Sequence, residues 1–412
     1  MKKVVVTGLG MVSPLGSDVE QSWAAAVAGK SGISSITKFD TSGYPVRIAG
    51  EVSETNIDRF FTPKETRNMD TFIHYGLVAG AQAFLDSGYS VDEENQFKVG
   101  SFIGSGIGGL PLIEKTHETL SRKGPKRISP FFVPGSIINM ISGHLSIKYG
   151  LKGPNLATVT ACTTGLHSVG LAYRMIQMGD AEAMLAGGSE ATVSPLGIGG
   201  FAAARALSTR DCSPSEASRP FDKLRDGFVL GEGAGVLFLE SYESAKRRGA
   251  NIYAEIVGFG MSGDAYHMTS PDKIGASRCM LNALNNAGLN QEDVCYINAH
   301  GTSTQIGDKN ETEAIKNCFR EHAKDLVISS TKSMTGHLLG GAGGIESVFT
   351  VLSVFHDIVP PTINLEVSDD SCDLDYCPKE SRKTKVNVAL KNNFGFGGTN
   401  GSLIFKKFGE AA

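Results

Sequence analysis

Residues 4–10 read Val-Val-Val-Thr-Gly-Leu-Gly, and residues 254–260 read Ala-Glu-Ile-Val-Gly-Phe-Gly. Each segment is a short apolar run rich in β-branched residues that ends at glycine, which is typical of a buried strand. Longer Ala-rich helical patterns alternate with further runs of this kind at 99–104, 181–185 and 235–239. We therefore predict an α/β protein. The likeness of the two quoted segments also predicts two related halves, residues 1–250 and 251–412, joined through the charged stretch 242–249.

Composition and charge argue against several classes of protein. The 39 basic and 43 acidic residues among 412 give a net charge of −4, whereas a general nucleic-acid binder usually needs a basic face. The seven cysteines form no CxxC pair, which fits a reducing compartment and argues against zinc. Thr7 and Gly8 interrupt the first apolar run, so we expect a strand there rather than a signal peptide. No run reaches the roughly 18 apolar residues of a membrane span, and we expect a cytoplasmic protein.

The segment 158–165, Thr-Val-Thr-Ala-Cys-Thr-Thr-Gly, leads from a β-rich stretch into a helical pattern. This places Cys162 near the start of a helix, where free amide protons and the helix dipole favour a thiolate. Cys162 is therefore a candidate nucleophile. The alternative is a small buried residue, which is the usual situation of a free cysteine.

Two histidines and a lysine follow predicted strands directly. The strand 295–299 delivers His300 to a polar loop, and the strand 326–330 is followed by Lys332 and His337. Strand ends are where α/β proteins bind their ligands, so we expect these side chains at a site. Each histidine alone could be an ordinary core or loop residue. Two histidines in the same context make coincidence less plausible.

Two glycine-rich segments have different interpretations. Residues 392–400, Asn-Asn-Phe-Gly-Phe-Gly-Gly-Thr-Asn, could present backbone amides to an oxyanion, or could be a tight hairpin with packed phenylalanines. Residues 104–109, Gly-Ser-Gly-Ile-Gly-Gly, match the literal dinucleotide pattern GxGxxG. The residues about 20 positions later are basic, without the acid that binds a ribose, so we do not expect NAD.

The four segments around Cys162, His300, His337 and Phe396 together resemble the β-ketoacyl-acyl carrier protein synthases, and within them the synthase II group. The likeness covers essentially the whole chain, through VVVTGLGMVSPLG, TACTTG, NAHGTST, KSMTGHLLG and NFGFGGTNGSLIFKK. It implies a thiolase-like fold with two related halves in five αβαβα layers, and a homodimer. It also implies condensation of an acyl group with the malonyl thioester of acyl carrier protein in fatty-acid elongation, with release of CO2.

The resemblance also implies roles for individual residues. Cys162 corresponds to the acyl-accepting nucleophile, and His300 and His337 to the pair that acts on the malonyl carboxylate and the enolate. Lys332 corresponds to the lysine that supports the pair by lowering the histidine pKa values, with Glu311 as its carboxylate partner. Phe396 corresponds to the gating phenylalanine, and its amide forms an oxyanion hole with that of Cys162.

Other positions are implied to bind substrate, partner or cation. Thr302 and Thr304 would hold the phosphopantetheine arm, while Ile107 would gate the acyl pocket with Phe394 nearby. A basic rim for the acidic carrier protein would include Lys64, Arg67 and Arg205. No cofactor is required, but a structural Na+ or K+ is a possibility, and its oxygens would come from Asn298, Ala299 and Glu346.

Three alternative functions compete with this interpretation. A synthase I or a polyketide-type ketosynthase would differ in acyl-chain profile. A non-catalytic chain-length partner subunit is expected to lack the nucleophile, which is present here as Cys162. A plain carrier-protein binding module would not explain the presence of Lys332 with both histidines.

Overall fold

The computed structural model describes residues 1–409, in which strands and helices alternate along the chain. The strands are β1 Val4–Val12, β2 Ser34–Ser35, β3 Ile48–Ala49, β4 Val99–Gly104, β5 Asn155–Leu156, β6 Ala183–Glu190, β7 Gly233–Ser241, β8 Ala254–Gly263, β9 Tyr296–Asn298, β10 Val327–Ser329, β11 Ile358–Val359, β12 Arg382–Lys383, β13 Val388–Gly395 and β14 Thr399–Lys406. The α-helices are α1 Val19–Val27, α2 Pro63–Thr66, α3 Thr71–Ser87, α4 Leu110–Lys123, α5 Phe132–Ser136, α6 Met140–Tyr149, α7 Thr164–Met178, α8 Pro195–Ala203, α9 Tyr242–Arg248, α10 Lys273–Ala287, α11 Gln305–Phe319, α12 Lys332–Thr335 and α13 Ala342–His356.

Within residues 1–409, ten strands form one large sheet in the order β10-β9-β13-β14-β8-β1-β7-β6-β4-β5. The strands that precede residue 242 lie on one side of the β1–β8 junction, and those that follow residue 253 lie on the other. The junction itself is short, because only Val4, Val5 and Val6 pair with β8. The two segments that predicted related halves are therefore neighbours at the centre of the sheet.

The helices and the two sets of strands stack in five alternating layers. Helices α3 and α6 pack on the outer face of the N-terminal strands, and α10 packs on the outer face of β8 and β14. Between the two sets of strands lie α7 and α13, which contact strands of both. Helix α13 is buried over residues 342–354, as expected for a helix that is apolar on all sides. This is the predicted α/β, αβαβα arrangement.

Close packing of the central helices depends on glycine. A side chain at Gly344 of α13 would come within 2.2 Å of the carbonyl oxygen of Gly235 in β7. A side chain at Gly165 of α7 would come within 2.5 Å of the amide nitrogen of Gly344. The two central helices and the sheet therefore touch through their backbones, which brings the N-terminal ends of α7 and α13 together.

The charged stretch 242–249 forms α9, which connects the last N-terminal strand to β8. Its first turn is capped by the side chain of Ser241, and three basic residues occupy its last turn, where they complement the helix dipole. The predicted division after residue 250 falls in the loop that follows α9, and it stays a prediction. Over residues 1–409, every helix is too short or too polar to cross a bilayer.

Candidate active site

A cavity of about 570 Å³ opens where the two sets of strands meet. Cys162, His300 and His337 all line it, although they are up to 175 residues apart in sequence (337 − 162). The other predicted site residues on its wall are Ile107, Arg205, Thr302, Thr304, Glu311, Phe394 and Phe396. The structure thus brings the candidate nucleophile and both candidate imidazoles to one place.

Cys162 lies in a single 3-10 turn, residues 161–163, immediately before α7. Ala161 has a φ of +49°, a left-handed backbone that a non-glycine residue adopts only under strain. The turn leaves Cys162 buried at 7% exposure, with its side chain on the cavity wall. A strained turn between a sheet edge and a helix start is a recurring way to present a nucleophile.

The surroundings of Cys162 in the structure favour the thiol over the predicted thiolate. Burial raises the pKa of the Cys162 thiol to about 11. The backbone N–H of Phe396 and the charge of Lys332 act in the opposite direction, whereas the carboxylate of Glu190 raises the pKa further. Loss of solvent is the largest of these effects, and it favours the neutral thiol.

His337 is held in one tautomer by its own loop. It is 2% exposed and follows α12 through Gly336, whose φ of +71° allows the turn. The backbone N–H of Leu339 lies 3.3 Å from Nδ1 and donates to it. Since Nδ1 accepts, the proton of the neutral ring is on Nε2.

His300 is oriented in the same way by a side-chain amide. Nδ2 of Asn393 lies 3.4 Å from Nδ1 of His300, so this ring also carries its proton on Nε2. The rings of His300 and His337 are 5.3 Å apart between centroids and nearly perpendicular, at 85°. Both rings can therefore donate an Nε2–H into the cavity.

Both imidazoles are kept neutral by their surroundings. Burial lowers the pKa of His300 and of His337 well below the usual 6.5, and the ammonium of Lys332 lowers both further. Lys391 contributes in the same direction. Lys332 thus lowers the histidine pKa values as predicted, although desolvation lowers them more.

The carboxylate partner of Lys332 differs from the one expected. Among the described residues, Lys332 pairs with Glu346, at 2.5 Å between Nζ and Oε1, and not with Glu311. Glu311 accepts instead from two backbone amides, those of His300 at 2.8 Å and Gly301 at 2.7 Å. From its position in α11, Glu311 therefore fixes the backbone that carries His300.

The oxygens expected to bind a monovalent cation surround a lysine. Nζ of Lys391 lies 3.5 Å from the carbonyl oxygens of both Asn298 and Ala299, and 2.8 Å from Oε2 of Glu346. The predicted oxygen set does come together, but the chain's own ammonium group already occupies its centre. These residues as arranged do not fit an additional inorganic cation.

Phe394 lies near the end of β13, and Phe396 lies in the turn between β13 and β14. The ring of Phe394 packs edge-on against His300 at 5.8 Å, and the amide of Phe396 faces the sulfur of Cys162. Phe396 and Ile107 are each 39% exposed and line the cavity, and their predicted gating role stays a prediction. Asp264 fixes this turn, because its backbone N–H donates to the carbonyl oxygen of Gly398 at 2.8 Å and its carboxylate accepts from the side chain of Asn400 at 2.6 Å.

Of the residues predicted to bind the phosphopantetheine arm and the carrier protein, some line the cavity and others lie outside it. Oγ1 of Thr302 and Oγ1 of Thr304 are 2.9 Å apart on the cavity wall, where both hydroxyls can contact an arm that enters. Arg205 is exposed and also lines the cavity. Lys64 on α2 and Arg67 just after it are exposed but lie outside the cavity lining, so their role stays a prediction.

The GxGxxG segment binds an internal carboxylate. Glu190, fully buried at the end of β6, accepts from the amides of Gly106 at 2.8 Å, Ile107 at 3.2 Å and Gly340 at 3.0 Å. The hydroxyl of Ser105 donates to the same carboxylate at 2.8 Å. The amides that could bind a phosphate therefore donate to Glu190 instead, and this contact fixes the walls of the cavity.

Sequence reasoning missed the roles of four buried polar residues: Glu190, Glu346 as the partner of Lys332, Lys391 and Asn393. Each lies inside a strand or helix, where a polar side chain has no local motif around it. A usable signal was the presence of Lys391 and Asn393 in a strand that is otherwise buried, since a lysine is almost never buried without a partner.

Two family models match the chain. The model described as "Beta-ketoacyl synthase, N-terminal domain" matches residues 1–245, and "Beta-ketoacyl synthase, C-terminal domain" matches residues 253–366. The chain is 56% identical over 408 residues to a Coxiella burnetii protein named 3-oxoacyl-[acyl-carrier-protein] synthase 2, with 98% of this chain and 99% of the relative covered. A Staphylococcus aureus protein of the same name is 52% identical over 409 residues, with 99% of each chain covered.

A solved structure is also similar over the full length. It is a "type II PKS acyl-carrier protein in complex with its ketosynthase bound to the hexaketide", 35% identical, with a TM-score of 0.92 over 98% of this chain and 99% of that one. A β-ketoacyl synthase from Burkholderia phymatum is 36% identical, with a TM-score of 0.92 over 99% of this chain and 100% of that one.

Proposed function

The chain belongs to the β-ketoacyl synthase family, and we propose that it condenses an acyl group held on Cys162 with the malonyl thioester of acyl carrier protein. The products are a 3-oxoacyl thioester of the carrier protein, CO2 and free carrier protein, in fatty-acid chain elongation. The observation that carries this function is the convergence of Cys162, His300 and His337 on one cavity with both imidazoles neutral.

The first step is thioester exchange at Cys162. The sulfur attacks the acyl thioester of the carrier protein, the bond from the acyl carbon to the carrier's sulfur breaks, and the proton of the Cys162 thiol ends on that sulfur. The tetrahedral oxyanion is met by the backbone amides of Cys162 and Phe396. Because burial raises the pKa of the Cys162 thiol, we infer that the sulfur loses its proton only when the acyl thioester is bound at these donors.

The second step is loss of CO2 from malonyl thioester. The bond from the carboxylate to Cα breaks, and its electron pair becomes an enolate whose oxygen carries the charge. The Nε2–H groups of His300 and His337 donate to that oxygen, and fixed donors in a site shielded from water stabilise it without reorganisation. Neutral rings fulfil this task because each retains one directed N–H.

The third step forms the carbon–carbon bond. Cα of the enolate attacks the acyl carbonyl carbon on Cys162, and the oxyanion again lies at the Cys162 and Phe396 amides. Collapse breaks the bond to the Cys162 sulfur, which takes up one proton and returns to the thiol. The negative charge of the malonyl carboxylate is thus passed to sulfur and neutralised from solvent.

The remaining assignments belong to the same proposal. Thr302 and Thr304 hold the phosphopantetheine arm, Ile107 and Phe396 gate the acyl pocket with Phe394 beside them, and Arg205, Lys64 and Arg67 meet the acidic carrier protein. A cytoplasmic location is supported by the seven cysteines, which are all free thiols within residues 1–409.

A homodimer is also part of the proposal. The two-residue strand β5 is an outer strand of the ten-stranded sheet. Leu156 in it and Val159 just after it are 38% and 54% exposed. An apolar sheet edge of this kind is suited to pairing with a second copy.

The alternatives receive less support. The chain is 56% and 52% identical to the two proteins named synthase 2, but 35% identical to the polyketide ketosynthase. A chain-length partner subunit without catalytic activity is disfavoured by the presence of Cys162 in the cavity.

The test is mass spectrometry of the protein after incubation with acyl carrier thioesters of varied length, followed by addition of the malonyl thioester. We expect one acyl adduct on Cys162, its disappearance on condensation, and no elongated product from Cys162→Ala. That variant should still release some CO2, because the enolate site does not use the sulfur. The partly exposed Cys212 lies outside the cavity lining, so Cys212→Ala is the matched control and should retain both activities. An adduct on Cys212 would contradict the assignment.

A further inference from the structure

Lys391 is a fully buried lysine in the middle of β13, beside the histidine pair. Its ammonium contacts three backbone carbonyl oxygens, those of Asn298 and Ala299 at 3.5 Å and that of Asn392 at a shorter distance. The fourth contact is Oε2 of Glu346, at 2.8 Å. Several carbonyl oxygens around one positive charge, with a carboxylate close by, are the surroundings that proteins give to an alkali cation.

The charges around this group leave no place for a second cation. Lys332 and Lys391 already share the single carboxylate of Glu346, through Oε1 and Oε2 respectively. Glu311 is the other nearby acid, and its oxygens are taken by the amides of His300 and Gly301. An inorganic cation bound by the same carbonyls would have to stand next to two ammonium groups.

Lys391 is connected to the imidazole of His300 through Glu346 and Asn393. Oε2 of Glu346, which pairs with Lys391, also accepts from Nδ2 of Asn393 at 3.1 Å. The same Nδ2 lies 3.4 Å from Nδ1 of His300 and orients that ring. A positive charge at this place therefore holds the carboxylate, the amide and the imidazole in one arrangement.

We propose that the ammonium of Lys391 takes the structural place of a monovalent cation, so that this protein needs neither Na+ nor K+ for its stability or its activity. Lys391 is a positioning residue, which acts on His300 through Glu346 and Asn393. A carboxylate oxygen and three carbonyl oxygens surround Nζ of Lys391, and all four are acceptors that favour the protonated amine. The stability arm of the test is independent of the proposed condensation, and only the activity arm rests on it.

The first experiment uses the unaltered protein at pH 7. Its Tm and its condensation rate are measured in KCl, NaCl and choline chloride at equal concentration, since choline is too large for the site. We expect the same Tm and rate in all three salts. A Tm or a rate that is higher in KCl or NaCl than in choline chloride would overturn the proposal, and this comparison requires no variant to fold.

The second experiment separates loss of the ammonium charge from loss of the side-chain volume at position 391. Lys391→Ala removes the ammonium and leaves a hole lined by the same oxygens, so we expect a low Tm in choline chloride and recovery in KCl or ammonium chloride. The condensation rate of this variant should rise about tenfold on the same change of salt, which is the size of effect that outer-shell groups have at metal sites. Lys391→Met fills the hole without a charge, and we expect it to be destabilised in every salt without recovery.

A matched control is Lys38→Ala. Lys38 also pairs with a buried carboxylate, that of Glu232, whose other partners are the amide of Val52 and the hydroxyl of Tyr75. All of these partners are donors, so removal of Lys38 should lower the Tm equally in all salts. If Lys391→Ala behaves like Lys38→Ala and shows no preference for K+ or ammonium, the carbonyl set is not a cation site and the proposal fails.

Discussion

Nζ of Lys332 lies 2.5 Å from Oε1 of Glu346, and both side chains are only 1% exposed. The other oxygen of that carboxylate lies 2.8 Å from Nζ of Lys391. Burial alone would raise the pKa of Glu346, but the two ammonium groups outweigh it and lower the pKa. One carboxylate therefore compensates two buried positive charges, and the same charges add to the effect of burial in keeping the neighbouring imidazoles neutral.

The first prediction follows from this shared carboxylate. Glu346→Gln keeps the shape of the side chain but removes the carboxylate that pairs with two buried ammonium groups. We expect it to lower the free energy of unfolding by about 3–5 kcal/mol, as is usual when one partner of a buried ion pair is removed. Urea denaturation followed by circular dichroism measures this change.

Glu313→Gln is the matched control for Glu346→Gln. Glu313 pairs with Lys273 at the same 2.8 Å, but both side chains of that pair are substantially exposed to solvent. Its removal should leave the urea midpoint close to that of the unaltered protein. Equal midpoints for the two variants would mean that Glu346 does not compensate buried charge.

The catalytic group could be predicted from sequence because each member follows a strand and lies in a loop with a distinctive pattern. Cys162, His300 and His337 have that context, and the structure places all three on one cavity. The α/β fold could be predicted for a similar reason, since apolar runs and helical patterns alternate along the chain. What the periodicity could not supply is the distance between these loops, which depends on the close contact of α7 with α13.

The supporting charges could not be predicted in the same way. Glu346 is one position in a buried helix and Lys391 one position in a buried strand, and neither segment looks unusual locally. Glu311, which the resemblance implies as the partner of Lys332, accepts instead from the backbone amides of His300 and Gly301. Which buried acid faces which buried base depends on the packing of α13 against β13, and only coordinates give that.

The second prediction concerns stability at acid pH. The unfolded chain protonates His300 and His337 near pH 6.5, whereas the folded protein holds both pKa values well below 6.5. The unfolded state therefore binds more protons below pH 6.5, so the contribution of these rings to stability is intact above that pH and is lost as the pH falls. Each ring should contribute a slope that approaches about 1.4 kcal/mol per pH unit.

The measurement for this prediction is the free energy of unfolding between pH 7 and pH 5. We expect His337→Gln to remove about one proton from the difference between the unfolded and folded states, and so to flatten the slope. A slope that is the same with and without His337 would show that the ring protonates equally in both states.

The third prediction concerns the tautomer of His300. Asn393→Asp replaces the donor at Nδ1 with a carboxylate, which prefers a proton on Nδ1 and favours the charged ring. The Nε2–H is then lost from the neutral form, and we expect malonyl decarboxylation to slow by about 100-fold, the usual cost of one oxyanion donor. The ring nitrogens of ¹⁵N-labelled protein report the tautomer directly by NMR. Asn282→Asp, on the outer helix α10, should change neither the rate nor the spectrum.

The fourth prediction concerns the pKa of Cys162. Glu190 is fully buried, and its charge is one cause of the raised pKa of the Cys162 thiol. Glu190→Gln removes that charge, so the pKa of Cys162 should fall below its value of about 11. The thiolate fraction at pH 9 then rises, by about tenfold for each unit of change in pKa, and iodoacetamide should modify Cys162 faster.

Loss of packing must be separated from loss of charge in this experiment, because Glu190 also holds the amides of Gly106, Ile107 and Gly340. Glu232→Gln provides the comparison, since Glu232 is equally buried and its contacts, with Lys38 and Tyr75, lie elsewhere. Both variants should unfold at lower temperature, but only Glu190→Gln should shift the pH profile of alkylation toward lower pH. If the two profiles coincide with that of the unaltered protein, Glu190 acts on the cavity only as a structural support, and burial alone keeps the sulfur protonated.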